Sequence, residues 1–541
     1  TYLLFCSMSG GFWYSDDLHS WDFHETPELP IYDYAPDVRE INGQVVFSAS
    51  RRGEACQIFR SPDPLTTPFE VVSAPFDFWD PNLFQDDDGR VYLYWGCSSK
   101  EPLYGIELDP ENLLPIGDKT VLFGENEAAH GWERKGENNH MPPPKKPRDF
   151  MIRLAVGTKP FIEGAYMNKV NGQYYLQYAA PGTECNVYAD GVYLADTPLG
   201  PFRYQDHNPF SSVPGGFAQG AGHGSTFQDK AGNWWHVTTM RISVNENFER
   251  RIGLFPCDFD ADGNLYCNQN FACYPQSLPL GRREDMDRIT PAMQLLSINA
   301  AASASSSQPA NPPSLGVDED IRTCWAAKRD DNSPWYQLDL GTAKTVQAVQ
   351  INFADHKLPM QPLDKKASHK DTVGYRIIQT SPQQTCYLLE GSLDGEHWTL
   401  LRDTRAAGTD YTHDFFVLDK PQSLRYLRVR DIVLAMGGVS AISGLRVFGI
   451  GDGESPRQVA DIEVARSADG LNLYLNWSAA PGAQGYNIRY GIAADKLYNS
   501  WQIWDRLSLD LSLINAGQSY CLAIDSFNEN GVTPGKIISI N

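Results

Sequence analysis

An all-β chain is what this sequence predicts: a five-bladed β-propeller followed by two β-sandwich domains. Three observations carry that expectation. First, one unit recurs, in which a polar residue opens a short strand, a turn ending in glycine follows, and a second strand begins. Second, five strand pairs with Asp-Pro or Asp-x-x-Gly-type turns complete those units, as four-stranded blades require. Third, beyond about residue 290 short alternating strands with frequent turn signals replace the repeat, the pattern of sandwiches. A chain of 541 residues is also too long for one core and suggests about three or four domains.

The propeller is expected over residues 1–285. YAPDVREINGQVVFSAS places Asp37 ahead of the turn at Gly43, and FWDPNLFQDDDGRVYLYWG places Asp80 ahead of Gly89. FIEGAYMNKVNGQYYL does the same for Glu163 and Gly172, and GHGSTFQDKAGNWWHVTT for His223 and Gly232. The outer pairs are FWYSDDLHSWDF, QIFRSPDPLTTPFEVV, YGIELDPENLLPIG, GVYLADTPLGPFRY and IGLFPCDFDADGNLY. Blade sheets pack face to face, so Tyr92, Tyr174, Tyr175, Trp234 and Trp235 are expected in the core. TYLLFCS aligns with the second strand of the other units, so blade one's first strand would fall roughly seven to ten residues before Thr1. An insertion from about Asn126 to Lys159, stiffened by Pro142-Pro143-Pro144, should rim the channel mouth.

A formal charge of -22 argues against nucleic acid or anionic membrane as the main partner. Aromatics at 12% suit β-structure and surfaces that stack on sugars. The ten cysteines lack metal spacing; Cys257, Cys267 and Cys273 are the closest cluster, read either as a bridge or as buried thiols. No stretch is apolar enough for membrane insertion. No signal peptide is visible, but Thr1 is not a natural start, so removal of a leader by processing or truncation stays open.

Equivalent positions on successive inner strands face one another across a propeller's channel, so Asp37, Asp80, Glu163 and His223 are expected to converge. Two carboxylates in one concave site are what glycoside hydrolysis uses, one protonated to donate and one ionised to activate water. Glu163, between Phe161-Ile162 and Gly164-Ala165, is the expected acid, since apolar walls and a like charge raise a carboxyl pKa. Asp86, Asp87 and Asp88 read as a solvated turn.

Taken together and in this order, WDPNLFQDDDG, IEGAYMNKVNGQYYLQYA and GHGSTFQDKAGNWWHVTT resemble glycoside hydrolase family 43, over about residues 1–280. The resemblance implies an inverting glycosidase acting on arabinofuranosyl or xylosyl linkages of polysaccharides or oligosaccharides, with exo action favoured by the insertion. It implies Glu163 as general acid and Asp80 as the carboxylate that tunes and orients it. It implies His223 near the axis beside a metal ion or ordered water, which makes calcium in the channel an expectation; no organic cofactor is implied. The family's base is an Asp opening blade one, a position absent from residues 1–541. A base upstream is favoured, because a propeller without its first inner strand exposes an unpaired edge; Asp37 as substitute base, or a non-hydrolytic sugar-binding propeller, are the alternatives. The YAPD-like segment implies Tyr34 in the sugar pocket, and Arg241 and Arg251 compete for the family's sugar-binding arginine. His130, Trp132 and Glu133 are read either as a subsite wall or as a solvated loop. Such an enzyme is expected to be secreted, periplasmic or attached to the cell surface.

Residues 290–452 carry VDEDIRTCW, WYQLDLG, VQAVQINF, YLLEGSLDGEHW, LRYLRVR and ISGLRVFG, and resemble the discoidin-like (coagulation factor type C) modules that bind sugars. Asp318 and Asp320 match the loop where that family often holds calcium, and equally read as a turn capped by Asp side chains. The segment ADHKLPMQPLDKKASHK departs from the family's compact pattern. Residues 455–541, with Trp477, Tyr486 and Tyr520, resemble a fibronectin type III sandwich and are expected to hold no chemistry.

Overall fold

Asn-Gly turns set the register of the inner hairpins. Asn42-Gly43 and Asn171-Gly172 both have positive φ, +53° and +72° in the first and +51° and +82° in the second. Two consecutive positive φ values make the type I′ turn that matches strand twist. An added Cβ at Gly43, Gly89 or Gly172 would meet nothing within 4 Å, so the recurring glycine answers to backbone conformation and not to space.

These hairpins build a nearly all-β computed structural model. It describes residues 1–540 apart from Met8, 31–33, Arg52, 145–149, Ile152, 154–156, 243–248, Leu280, Asp285, Met360, 363–371, 374–383, Met436 and Asp505. Blade one is a three-stranded sheet, β1 (Tyr2–Phe5), β2 (Gly11–Ser15) and β3 (Asp22–Glu25). Blade two has β4 (Tyr34–Ile41), β5 (Gln44–Ser50), β6 (Ile58–Ser61) and β7 (Glu70–Ser73). Blade three has β8 (Asn82–Gln85), β9 (Val91–Trp95), β10 (Tyr104–Leu108) and β11 (Pro115–Val121). Blade four has β12 (Glu163–Val170), β13 (Gln173–Ala180), β14 (Ala189–Ala195) and β15 (Arg203–Tyr204), with β16 (Ser211–Ser212) also on β14. Blade five has β17 (Gln219–Gln228), β18 (Trp234–Arg241), β19 (Arg250–Phe259) and β20 (Leu265–Cys267). All pairings within the blades are antiparallel.

Polar side chains stitch the inner strands of neighbouring blades together. Asp37 accepts from Asn82 Nδ2 at 2.9 Å and from the Leu83 amide at 2.7 Å. Asn82 Oδ1 accepts the Met167 amide at 2.8 Å, and Asn168 Nδ2 donates to the Thr226 carbonyl at 3.1 Å. Buried polar groups satisfied in this way fix the blade-to-blade register.

Residues 294–450 form a sheet around the long strands Tyr336–Phe353 and His413–Val433, with a core that includes Trp325, Tyr336 and Tyr387. In the segment ADHKLPMQPLDKKASHK, Met360 and residues 363–370 lie outside the described residues. Residues 462–540 form two facing sheets, one of three strands and one of five. Trp477 meets Tyr486 edge-on, with ring centroids 5.4 Å apart, and Tyr520 Oη accepts the Asn515 amide at 2.9 Å.

This last module is packed onto the propeller. Trp132, Tyr178 and Tyr193 share one core with Trp477, Tyr486 and Trp501. The insertion carries the joint: Gly131 N donates to the Ile514 carbonyl, and Arg134 Nη2 reaches Leu471 O, Asn472 Oδ1 and Ser512 O. All ten cysteines are free thiols; Cys257 and Cys267 pair across β19 and β20 as thiols, with no disulfide between them.

Candidate active site

Three side chains that the repeat separates by 60 to 83 residues meet where blades three, four and five converge. Asp80 follows Trp79, just before β8, with φ +50°. Its amide donates to Ser50 Oγ at 2.8 Å. His223, within β17, also has positive φ, +56°. Left-handed backbone at two non-glycine residues is strain of the kind that collects at functional sites. Glu163 opens β12, beside Gly164 at φ +65°. A Cβ on Gly164 would sit 3.0 Å from the His223 ring, so glycine there lets the histidine lie against the strand.

Glu163 is held at both oxygens. Tyr188 Oη donates to Oε1 at 2.5 Å and Cys97 Sγ donates to Oε2 at 3.0 Å. Ligand-type atoms of Asp80, Cys97 and Glu163 all lie within 4.8 Å of one another. His223 Nδ1 stands 3.9 Å from Asp80 Oδ2, with 26% of its side chain exposed against 7% for Asp80. The histidine therefore faces outward over a buried acid.

Electrostatics follow from that burial. Desolvation pushes Asp80 up to about 6, and the Cys97 thiol, the Gly164 amide and Arg250 pull it part of the way back. Glu163 is raised by desolvation first and by the Asp80 charge second. His223 is lowered, mainly by desolvation, which favours the neutral imidazole. Burial and the two carboxylates keep Cys97 a thiol. One member of this carboxyl pair can thus stay protonated near neutral pH while the other is ionised, the state a general acid needs.

Other predicted residues have different duties. Asp37 is spent on Asn82 and Leu83, with Arg39 Nε at 3.8 Å, so it braces blades two and three rather than facing a substrate. Tyr34, at the start of β4, lies nearly parallel to Trp79 with centroids 6.5 Å apart. Arg241 is buried and gives both terminal nitrogens to Glu137, at 3.1 and 2.7 Å. Arg251 turns to Glu249 at 2.9 Å. The arginine whose charge acts on Asp80, Glu163's partner Tyr188 and His223 is Arg250, the cross-strand partner of Arg241.

Trp132 is no subsite wall. It is fully buried, its Nε1 donates to Tyr204 Oη at 2.8 Å, and its ring fills blade four's core. His130 stacks on Tyr204 and bonds Glu133, which is itself fully buried, so neither is a solvated loop residue. The insertion reaches the mouth through Lys135, whose ammonium lies 5.0 Å over the Phe161 ring, two residues from Glu163.

Asp318 and Asp320 form a capped turn: Thr323 Oγ1 and the Asp320 amide donate to Asp318, and the Arg322 amide donates to Asp320. Burial pushes Asp318 up to about 6. Among the described residues the one three-ligand cluster is Asp80, Cys97 and Glu163. Calcium takes six to eight oxygens, and a set of two carboxylates and a thiol does not fit it. No step below runs through a metal.

Cys97, Tyr188 and Arg250 escaped the sequence reading. The signals were faint: Gly96 ending the strand VYLYW, and Arg250 placed opposite Arg241 by hairpin register.

The chain carries a domain matched by the model of Glycosyl hydrolases family 43 over residues 12–265, and an F5/8 type C domain matched over residues 301–371. A protein named Xylosidase/arabinosidase from Bacteroides ovatus is 32% identical over 136 residues, 23% of this chain and 39% of that protein. A Beta-xylosidase from Xylanibacter ruminicola is 32% identical over 138 residues, again 23% and 39%. A Beta-D-galactofuranosidase from Aspergillus niger is 27% identical over 169 residues, 31% of this chain and 38% of that protein. The chain spans about two fifths of the length of these curated relatives. A solved structure described as a thermostable family-43 glycoside hydrolase aligns over 51% of this chain and 88% of its own, at 21% identity and a TM-score of 0.38.

Proposed function

We propose that the family 43 domain is an inverting glycosidase that removes arabinofuranosyl or xylosyl units from polysaccharides or oligosaccharides, acting at chain ends. One observation carries this reading: Glu163, partly exposed and raised in pKa, is held by Tyr188 and Cys97 beside the buried Asp80. Glu163 protonates the leaving oxygen, Asp80 keeps the acid's pKa high and orients it, and neutral His223 faces the sugar. Asp37 is spent on Asn82 and Leu83, so the base is assigned, from the family's pattern, to an aspartate opening blade one. Lys135 over Phe161 supports a mouth walled on one side, which suits exo action.

The two C-terminal modules are read as accessory. The last is of fibronectin type III type, with Tyr520 making the corner bond to the Asn515 amide. A polysaccharide substrate would place the protein outside the cell, at its surface or in the periplasm.

The test is hydrolysis of aryl α-L-arabinofuranosides and aryl β-D-xylosides, with the anomer of the first product read by NMR. Inverted product, and loss of turnover in Glu163→Gln, are expected. The commitment of Asp37 to Asn82 and Leu83 favours one other reading, a sugar-binding propeller without turnover. Calorimetric sugar binding with no product formed would select it.

A further inference from the structure

Cys97 sits where sequence reasoning has no use for a cysteine. Gly96 N donates to the Trp79 carbonyl at 2.8 Å, and Ser98 pairs with Ile162 in both directions, at 3.2 and 3.0 Å. Those bonds clamp Cys97 between the segment that carries Asp80 and the residue before Glu163. Its thiol therefore has a fixed direction and meets Glu163 Oε2 at 3.0 Å.

We infer that Cys97 is a positioning residue for the acid, and that Glu163 Oε2 is the oxygen that delivers the proton to the departing sugar. The inference deepens the glycosidase reading and rests on it.

The two bonds to Glu163 are unequal in kind. Tyr188 Oη–H···Oε1, at 2.5 Å, is an oxygen–oxygen bond to a carboxylate and anchors that oxygen. A thiol is a weak donor and also a weak acceptor. When Glu163 is ionised, S–H donates to Oε2. When Glu163 is protonated, its O–H can turn toward sulfur or toward a leaving oxygen at little cost, because the bond given up is weak. Tyr188 thus fixes the carboxyl group in place while Cys97 keeps Oε2 aligned and free to react. The other charged or titratable groups facing the carboxyl are Asp80 and His223, and neither replaces the thiol's contact with Oε2.

A serine keeps a donor and acceptor at this position, and an alanine keeps neither. In the full chain, Cys97→Ala is expected to lower kcat roughly 10-fold with KM within about twofold, and Cys97→Ser to recover most of the loss. Isotope-edited infrared spectroscopy supplies a readout that needs no turnover. The Glu163 carboxyl band, identified by its disappearance in Glu163→Gln, should shift in Cys97→Ala and return toward the wild-type position in Cys97→Ser. An unmoved band in Cys97→Ala, or a rise in KM with unchanged kcat, overturns the inference. If wild type shows no turnover, the glycosidase reading fails, and the band alone then decides whether Cys97 positions Glu163.

Discussion

Two histidine–aspartate pairs lie side by side in this propeller, and only one of them has a histidine partly open to solvent. His236 and Asp190 are 2.8 Å apart, with side chains 0% and 2% exposed. Asp190 also accepts the amides of His223 and Gly224, and His236 Nδ1 is paired with Thr226 Oγ1 at 2.9 Å. Every polar atom of that pair has a partner inside the protein. His223 and Asp80 are 3.9 Å apart, on two residues with left-handed backbone, and the histidine is partly exposed. The satisfied pair holds the strand that carries His223. Exposure of the histidine, more than residue type, separates scaffold from chemistry here.

Breaking the members one at a time sharpens that division. Glu163→Gln, on the chemical side, should cost about 10²–10⁴-fold in kcat with thermal unfolding little changed, as steady-state kinetics and calorimetry would show. Asp190→Ala, on the scaffold side, leaves a buried imidazole and two amides unpaired. It should lose about 3–5 kcal/mol in urea unfolding, and kcat per folded molecule should fall far less than in Glu163→Gln.

Asp80→Asn should do the opposite of Asp190→Ala. Folding raises Asp80 from 3.8 to about 6, so the native state holds a proton that the unfolded chain has released between those values. Stability is therefore lost as pH climbs through that window. An amide escapes the loss, so Asp80→Asn should be about 1–3 kcal/mol more stable than wild type above pH 6 and gain nothing below 3.8, while turnover falls. Urea midpoints at pH 4 and 7.5 would check it. The smallest effect belongs to the module joint: Arg134→Ala leaves three acceptors of the last module without their donor. About 1–2 kcal/mol should be lost, seen as a drop of a few degrees in Tm with kcat unchanged.

The hairpin repeat was legible because Gly43, Gly89 and Gly172 answer to a backbone angle, a requirement that shows in any single sequence. Asp80, Glu163 and His223 were legible for the same reason, since each heads a repeat. Cys97 was not, because its direction comes from the Ser98–Ile162 bridge, a long-range pairing with no local signature. Arg250 was hidden by its neighbours: Arg241 and Arg251 are equally basic and nearby, and only strand register and the partners Glu137 and Glu249 divide them. Trp132 misled because an inserted loop suggests a surface, whereas the last module supplies this one with a second core.

The proton donor can be tested most directly by varying the leaving group. Aryl glycosides with phenols of rising acidity need progressively less protonation, so Glu163→Gln should lose most of its activity on the poorest leaving groups and little on dinitrophenyl glycosides. The same fractional loss across the whole series would contradict Glu163 as the acid.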